Sequence, residues 1–247
     1  MIAYFIDGSA PPCVVRSQPV PSHMSRPSPS PSNFSSLSHF EIQTFTNTSA
    51  EKVAYIFPPA SENYSDTFIY HVGDALRFKA PVHGAKTSSS AGGPRVELRE
   101  VYKGVNATNR FAWRFGEAAH SIRVTLELNQ LPDSGRIERP GEVCVLQLHT
   151  TSMGASSVPA MVLAHGTYDT PSMLLYSPMA DSADNIYTGW QSSAGYAFGG
   201  GRSVTLQLNA DEAGTLTFCG VDGYGRTFHK LLPATRFLGE STSWTHL

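Results

Sequence analysis

The chain has 247 residues, a net charge of −2 and only 15% charged residues, so it carries neither a broad basic field for nucleic acid nor an acidic tail for a partner. No apolar run approaches the roughly 20 residues that a membrane-spanning helix needs. The opening MIAYFIDGSAPP is apolar but short, and it lacks the basic n-region of a signal peptide.

Residues 11–39 are rich in Pro and Ser, a composition that buries too little apolar surface to offset its ordering entropy. Residues 1–45 are therefore expected to form a disordered tail or linker, and 46–247 the folded domain. Short alternating runs follow, separated by turn residues. They are 68–72 (FIYHV), 75–82 (ALRFKAPV), 92–102 (GGPRVELREVY), 111–115 (FAWRF), 121–130 (SIRVTLELNQ), 143–150 (VCVLQLHT), 159–165 and 173–176. Residues 202–210 and 215–221 complete the series as a hairpin across 211–214. No stretch of about 12 residues or more shows the 3.6-residue period of an amphipathic helix. The expected fold is all-β, an antiparallel sandwich of the jelly-roll type.

Two of these strands carry chemistry. With side chains alternating, Arg95, Glu97 and Arg99 share one face while Val96 and Leu98 share the other. In the second, Gln147 and His149 fall on one face with Val145, opposite Cys144, Leu146 and Leu148. Cys144 thus reads as a small buried hydrophobe. Three cysteines, Cys13, Cys144 and Cys219, allow one disulfide and leave an odd thiol. If both polar faces line one sheet, two guanidinium groups, an amide and an imidazole form a set that binds anions and moves protons. Glu97 is expected to hold the two arginines in place by pairing with them. Arg77 and Lys79 share the polar side of run 75–82, and either extend the anionic subsites or are simply solvated. His71, His83, His120 and His165 lack metal-ligand spacing, so no metal is expected.

FKAPVHGAKTSSSAGGPRVELRE resembles the stretch of family 7 polysaccharide lyases, the alginate lyases, that ends in an R-[ST]-E-L-R-E strand, and VLQLHT is similar to that family's Q-[IV]-H strand. The resemblance implies a jelly roll with a substrate cleft on its concave sheet, and β-elimination on 1,4-linked uronate polymers without a cofactor. It also implies roles. Arg95 or Arg99 and Gln147 neutralise the uronate carboxylate, and His149 is the base. The family ends in a strand like Y-F-K-A-G-x-Y-x-Q, with a substrate-binding Lys and a catalytic Tyr. Aligned on Gly239, those positions here are Phe237 and Ser241. Tyr224, in VDGYGRTF, and Tyr196, beside a glycine run, are the candidates to replace that tyrosine. The implied partner is an acidic polysaccharide acted on outside the cell or in a cell wall, by a monomer that engages neither nucleic acid nor membrane. The alternative reading is a carbohydrate-binding jelly roll derived from such a lyase but without turnover.

Overall fold

Strand β8, His120–Glu127, shows how the fold is built, because Ile122, Val124 and Leu126 are buried while Ser121, Arg123, Thr125 and Glu127 between them are not. A period of two with one apolar face requires a second layer to cover that face. The computed structural model describes residues 2–6, 39–46, 50–58, 60–73, 75–81, 83–86, 93–101, 113–131, 142–150, 160–165, 172–176, 190–191 and 202–246. Among them β8 lies inside a seven-stranded antiparallel sheet. Its companions are β1 (Ile2–Ile6), β4 (Ile69–Val72), β5 (Ala75–Phe78), β13 (Ser203–Ala210), β14 (Thr215–Val221) and β15 (Thr227–Pro233), in the order β15-β14-β13-β8-β1-β5-β4.

The facing layer contains β2 (Phe40–Phe45), β3 (Val53–Ile56), β6 (Glu97–Glu100), β7 (Trp113–Arg114), β9 (Glu142–Thr150), β10 (Ala160–His165), β11 (Ser172–Tyr176), β12 (Trp190–Gln191) and β16 (Ser241–His246). Its order is β12-β11-β10-β9-β16-β6-β2-β3, with β7 pairing on β16. Between the layers, Ile42, Leu98, Leu146, Leu148 and Val162 of this sheet join Val124, Leu126, Leu206 and Phe218 of the other in one core. Each such side chain stabilises the fold by about 1.5–3 kcal/mol when fully buried. The architecture is the all-β antiparallel sandwich expected from the strand pattern.

Three local outcomes differ from expectation. First, β1 and β2 lie within residues 1–45, so the folded unit includes 2–6 and 40–45, while 7–38 lie outside the described residues. IAYFI and FEIQTF are apolar and β-prone enough to pair, which the Pro/Ser-rich composition between them obscures. Second, the β9–β10 register shifts between Val162 and Leu163, so that Leu146 pairs with Val162 and Cys144 with Leu163. The extra residue, Val145, reverses the alternation on its N-terminal side. Val145 therefore enters the core, whereas Cys144 is a half-buried thiol rather than a buried one; among the described residues Cys219 is disulfide-bonded. Third, β5, which carries Arg77 and leads into Lys79, belongs to the seven-stranded sheet.

Strand β2 is pinned from outside by Asp66, whose carboxylate accepts hydrogen bonds from Thr44 Oγ1 (2.8 Å), Tyr64 Oη (3.1 Å) and the backbone N–H groups of Phe68 and Ile69 (2.6 and 2.7 Å). Burial and the neighbouring Asp66 carboxylate push the Tyr64 hydroxyl up to about 12. At the other end of the chain, Gly239 (φ 81°) turns the backbone from the 3₁₀ turn Thr235–Phe237 into β16. Its N–H donates to Phe115 O at 2.7 Å. A left-handed φ favours glycine there, and it aims β16 into the middle of the larger sheet.

Candidate active site

The C-terminal strand β16 lies between β6 and β9, and this insertion assembles the site. Thr245 pairs with Arg99 on one side and Gln147 on the other, while Ser243 pairs with His149. On the far side of β6, Glu41 pairs with Arg99 and Gln43 with Glu97. Directly opposed residues share a face. Through the backbone register of Thr245, Glu41, Arg99 and Gln147 therefore fall in one row across the sheet, on the face turned away from Leu98 and Leu148.

Glu97 is fully buried, with Oε1 3.1 Å from Arg99 Nη2 and Oε2 3.6 Å from Arg95 Nη1. A carboxylate can be held in that position because it is paired; alone it would be strongly disfavoured. The arginine side chains keep 25% and 17% of their surface, so the guanidinium groups stand over the acid and reach solvent. Arg99 Nε is buried and makes no hydrogen bond among the described residues. Gln43 Nε2 donates weakly, at 3.5 Å, to Arg95 O. His149 is half-buried, and its pKa is lowered to about 4, first by burial and then by the positive charges of Arg99 and Arg95. The imidazole is thus neutral at ordinary pH and sits in the field of both arginines.

Arg95, Glu97, Arg99, Gln147 and His149 are thereby brought together across β6, β16 and β9. Arg77, Lys79 and Tyr224 are not. Arg77 pairs with Tyr70 and Ile2, and Ile2 with Glu127, so Arg77 lies on the outer, core-averted face of the seven-stranded sheet. Lys79 is exposed just past the end of that same strand. Neither extends the cluster, because β5 joined the other layer. Tyr224 occupies the β14–β15 turn of the seven-stranded sheet, again away from His149. Tyr196 lies outside the described residues. Phe237 is core, 3% exposed and edge-on to Phe115 (centroids 6.4 Å), and Ser241 is half-buried opposite Arg114.

Sequence reasoning missed Glu41, Gln43 and Tyr55. Glu41 and Gln43 are fully or almost fully buried on the polar face, and Tyr55 continues their side of the sheet by pairing with Gln43. Their signal is present in FEIQTF, where an acid and an amide alternate with apolar positions, but the Pro/Ser-rich residues just upstream make the segment look like the end of a tail.

The alginate lyase family matches residues 35–221. The chain belongs to that family, family 7 of the polysaccharide lyases. Among solved structures, it is similar to an alginate lyase from Pseudomonas aeruginosa, with 16% identity, a TM-score of 0.63, and 85% of this chain and 87% of that one covered. It is also similar to an exolytic family 7 alginate lyase from Zobellia galactanivorans, with 14% identity, a TM-score of 0.60, and 85% and 80% covered. At such identities the likeness speaks for the jelly-roll fold. No curated protein matches the chain. Within this alginate lyase fold, the Arg–Glu–Arg strand and the Gln–x–His strand are separated by β16 alone.

Proposed function

We propose that this family member is a polysaccharide lyase that cleaves a 1,4-linked polyuronate, alginate or a related extracellular polymer, by β-elimination. The observation that carries the reading is the neutral His149 held in the field of Arg95 and Arg99, with Gln147 in the Arg99 row. A uronate carboxylate entering this face meets the solvent-reaching ends of the Arg95 and Arg99 forks and the Gln147 amide. Neutralising that carboxylate stabilises the enolate-like dianion formed when the C5 proton leaves. His149 takes the proton, the C4–C5 double bond forms, and O4 departs with the electron pair of the broken C4–O4 bond, taking a proton from water while the imidazolium returns its own to solvent.

A second reading, a carbohydrate-binding member without turnover, draws on β16, which carries Ser241, Ser243 and Thr245 and no tyrosine. The deciding experiment follows the ultraviolet absorbance of the conjugated C4–C5 double bond during incubation with polymannuronate, polyguluronate and polyglucuronate. A rise on one polymer supports the lyase. A flat trace with retained binding supports the second reading, and neither cleavage nor binding overturns both.

The lyase reading has a pH signature. His149 acts only when neutral, so activity is lost as the pH falls through its pKa. In the free enzyme the acid limb of kcat/KM is expected at about 4. A bound carboxylate offsets the two arginines that help to depress the imidazole, so the acid limb of kcat lies above that of kcat/KM. Full pH–rate profiles test this. Both limbs at the ordinary histidine value of about 6.5 would remove His149 as a base under arginine control.

A further inference from the structure

We propose that the β14–β15 turn, together with Arg202 at the start of β13, is a second binding site for carboxylated saccharide, on the sheet that does not carry the arginine–histidine cluster. The turn is built around Asp222, which is 1% exposed. Its Oδ1 accepts from the N–H groups of Tyr224 (2.9 Å) and Arg226 (2.8 Å), and its Oδ2 takes Arg226 Nε (2.8 Å) and Nη2 (2.6 Å). Backbone bonds Asp222 N to Arg226 O and Gly225 N to Asp222 O, both 2.9 Å, close the same loop. A buried acid with four donors on it fixes the turn, and what the turn presents is an aromatic ring.

Tyr224 is 48% exposed. The β13–β14 register, with Thr205 opposite Val221, brings Arg202 across from Tyr224 when it is carried on to the strand ends. The Arg202 guanidinium carbon lies 4.7 Å from the Tyr224 ring centroid and that of Arg226 lies 5.4 Å from it. The two cations differ. Arg226 is committed to Asp222, whereas Arg202 is exposed and makes no ion pair or hydrogen bond among the described residues. The acid nearest to it in register, Glu127 opposite Ser203, accepts from Asn129 Nδ2 at 2.9 Å.

The result is a partly exposed ring with a guanidinium over it that makes no ion pair or hydrogen bond among the described residues. The Arg202 fork fits a ring carboxylate, and the part of the tyrosine ring left exposed beside the two guanidinium groups meets the C–H groups of the same sugar. An uncommitted guanidinium with an aromatic neighbour suits one carboxylate per sugar better than a phosphate, which a nest of backbone N–H groups would serve. For a polymer, a second point of attachment raises the local concentration of chain at the first. The class of polymer rests on the function proposed above, but the site itself stands on the turn's geometry.

The test is a titration of the ¹⁵N-labelled full chain with a short oligouronate, followed by NMR at Tyr224, Gly225, Arg226 and the Arg202 Nε–H, and separately at His149. Shifts at the turn that weaken about tenfold in affinity in Arg202→Ala, the expected loss for one charge-assisted hydrogen bond, support the site. Tyr224→Ala serves as a second variant, and thermal unfolding confirms that both fold. Shifts at His149 without shifts at the turn overturn this inference and leave the proposed function standing; shifts at the turn alone do the reverse. An equal response of the turn to inorganic sulfate, or to the neutral carboxyl-reduced oligosaccharide, also overturns it.

Discussion

His149→Ala lowers kcat on the preferred polyuronate by at least about a hundredfold, the usual contribution of a positioned general base. KM stays within about twofold, because the groups that grip the carboxylate, Arg95, Arg99 and Gln147, remain. The variant also separates chemistry from folding. The wild-type imidazole is half-buried and disfavoured in its charged form by burial and by two arginines, so removing it breaks no ion pair. Its melting temperature is expected to match that of the wild type. Steady-state rates from the ultraviolet signal, with a thermal melt on the same preparation, provide the check. A fall of less than about tenfold would place the base elsewhere on this face.

Glu97→Gln produces the second large effect, on stability and activity together. The carboxylate has no exposed surface and is the counter-ion of both Arg95 and Arg99. Removing one member of a buried pair leaves uncompensated charge, at a cost of about 3–5 kcal/mol. The arginines keep some contact with solvent, which places the outcome at the lower end of that range. For a domain of this size the expected fall in melting temperature is about 10 °C. Losing the negative charge also leaves His149 facing two unbalanced cations, so its pKa moves below the wild-type value of about 4. Calorimetry reads the first effect and an NMR titration of the imidazole reads the second. A melting point within about 2 °C of wild type would mean that Glu97 is not what holds the arginines.

Much of this architecture is legible in the residue pattern. Alternation in SIRVTLELNQ and RSVTLQLNA identifies two strands and their buried faces, and those faces meet in register, Leu206 opposite Val124. The Arg–Glu–Arg spacing identifies a polar face, because a period of two is a property of the chain itself. Edge elements are harder. β15, TFHKLLP, is largely exposed, and a strand paired on one side with little burial has no alternation to reveal it. Arg77 and Lys79 have the same local signature as Arg95 and Arg99, yet they lie on the other sheet. The bulge at Val145 reverses the expected position of Cys144 through its pairing partner β10, which no local pattern within β9 announces.

What the sequence by itself determined is therefore local: an all-β chain, the inward face of most strands, and the side-by-side placement of Arg95, Glu97 and Arg99 and of Gln147 and His149. Only the tertiary structure decided which strands are neighbours. It put β16 between the arginine and histidine strands, brought Glu41 across from Arg99, and sent Tyr224 and Arg77 to the other layer. The physical reason is that side-chain alternation is set by backbone geometry within a few residues, whereas a strand's hydrogen-bonding edges are chemically alike along every strand. Which edge meets which is settled by the packing of the whole core between the two sheets.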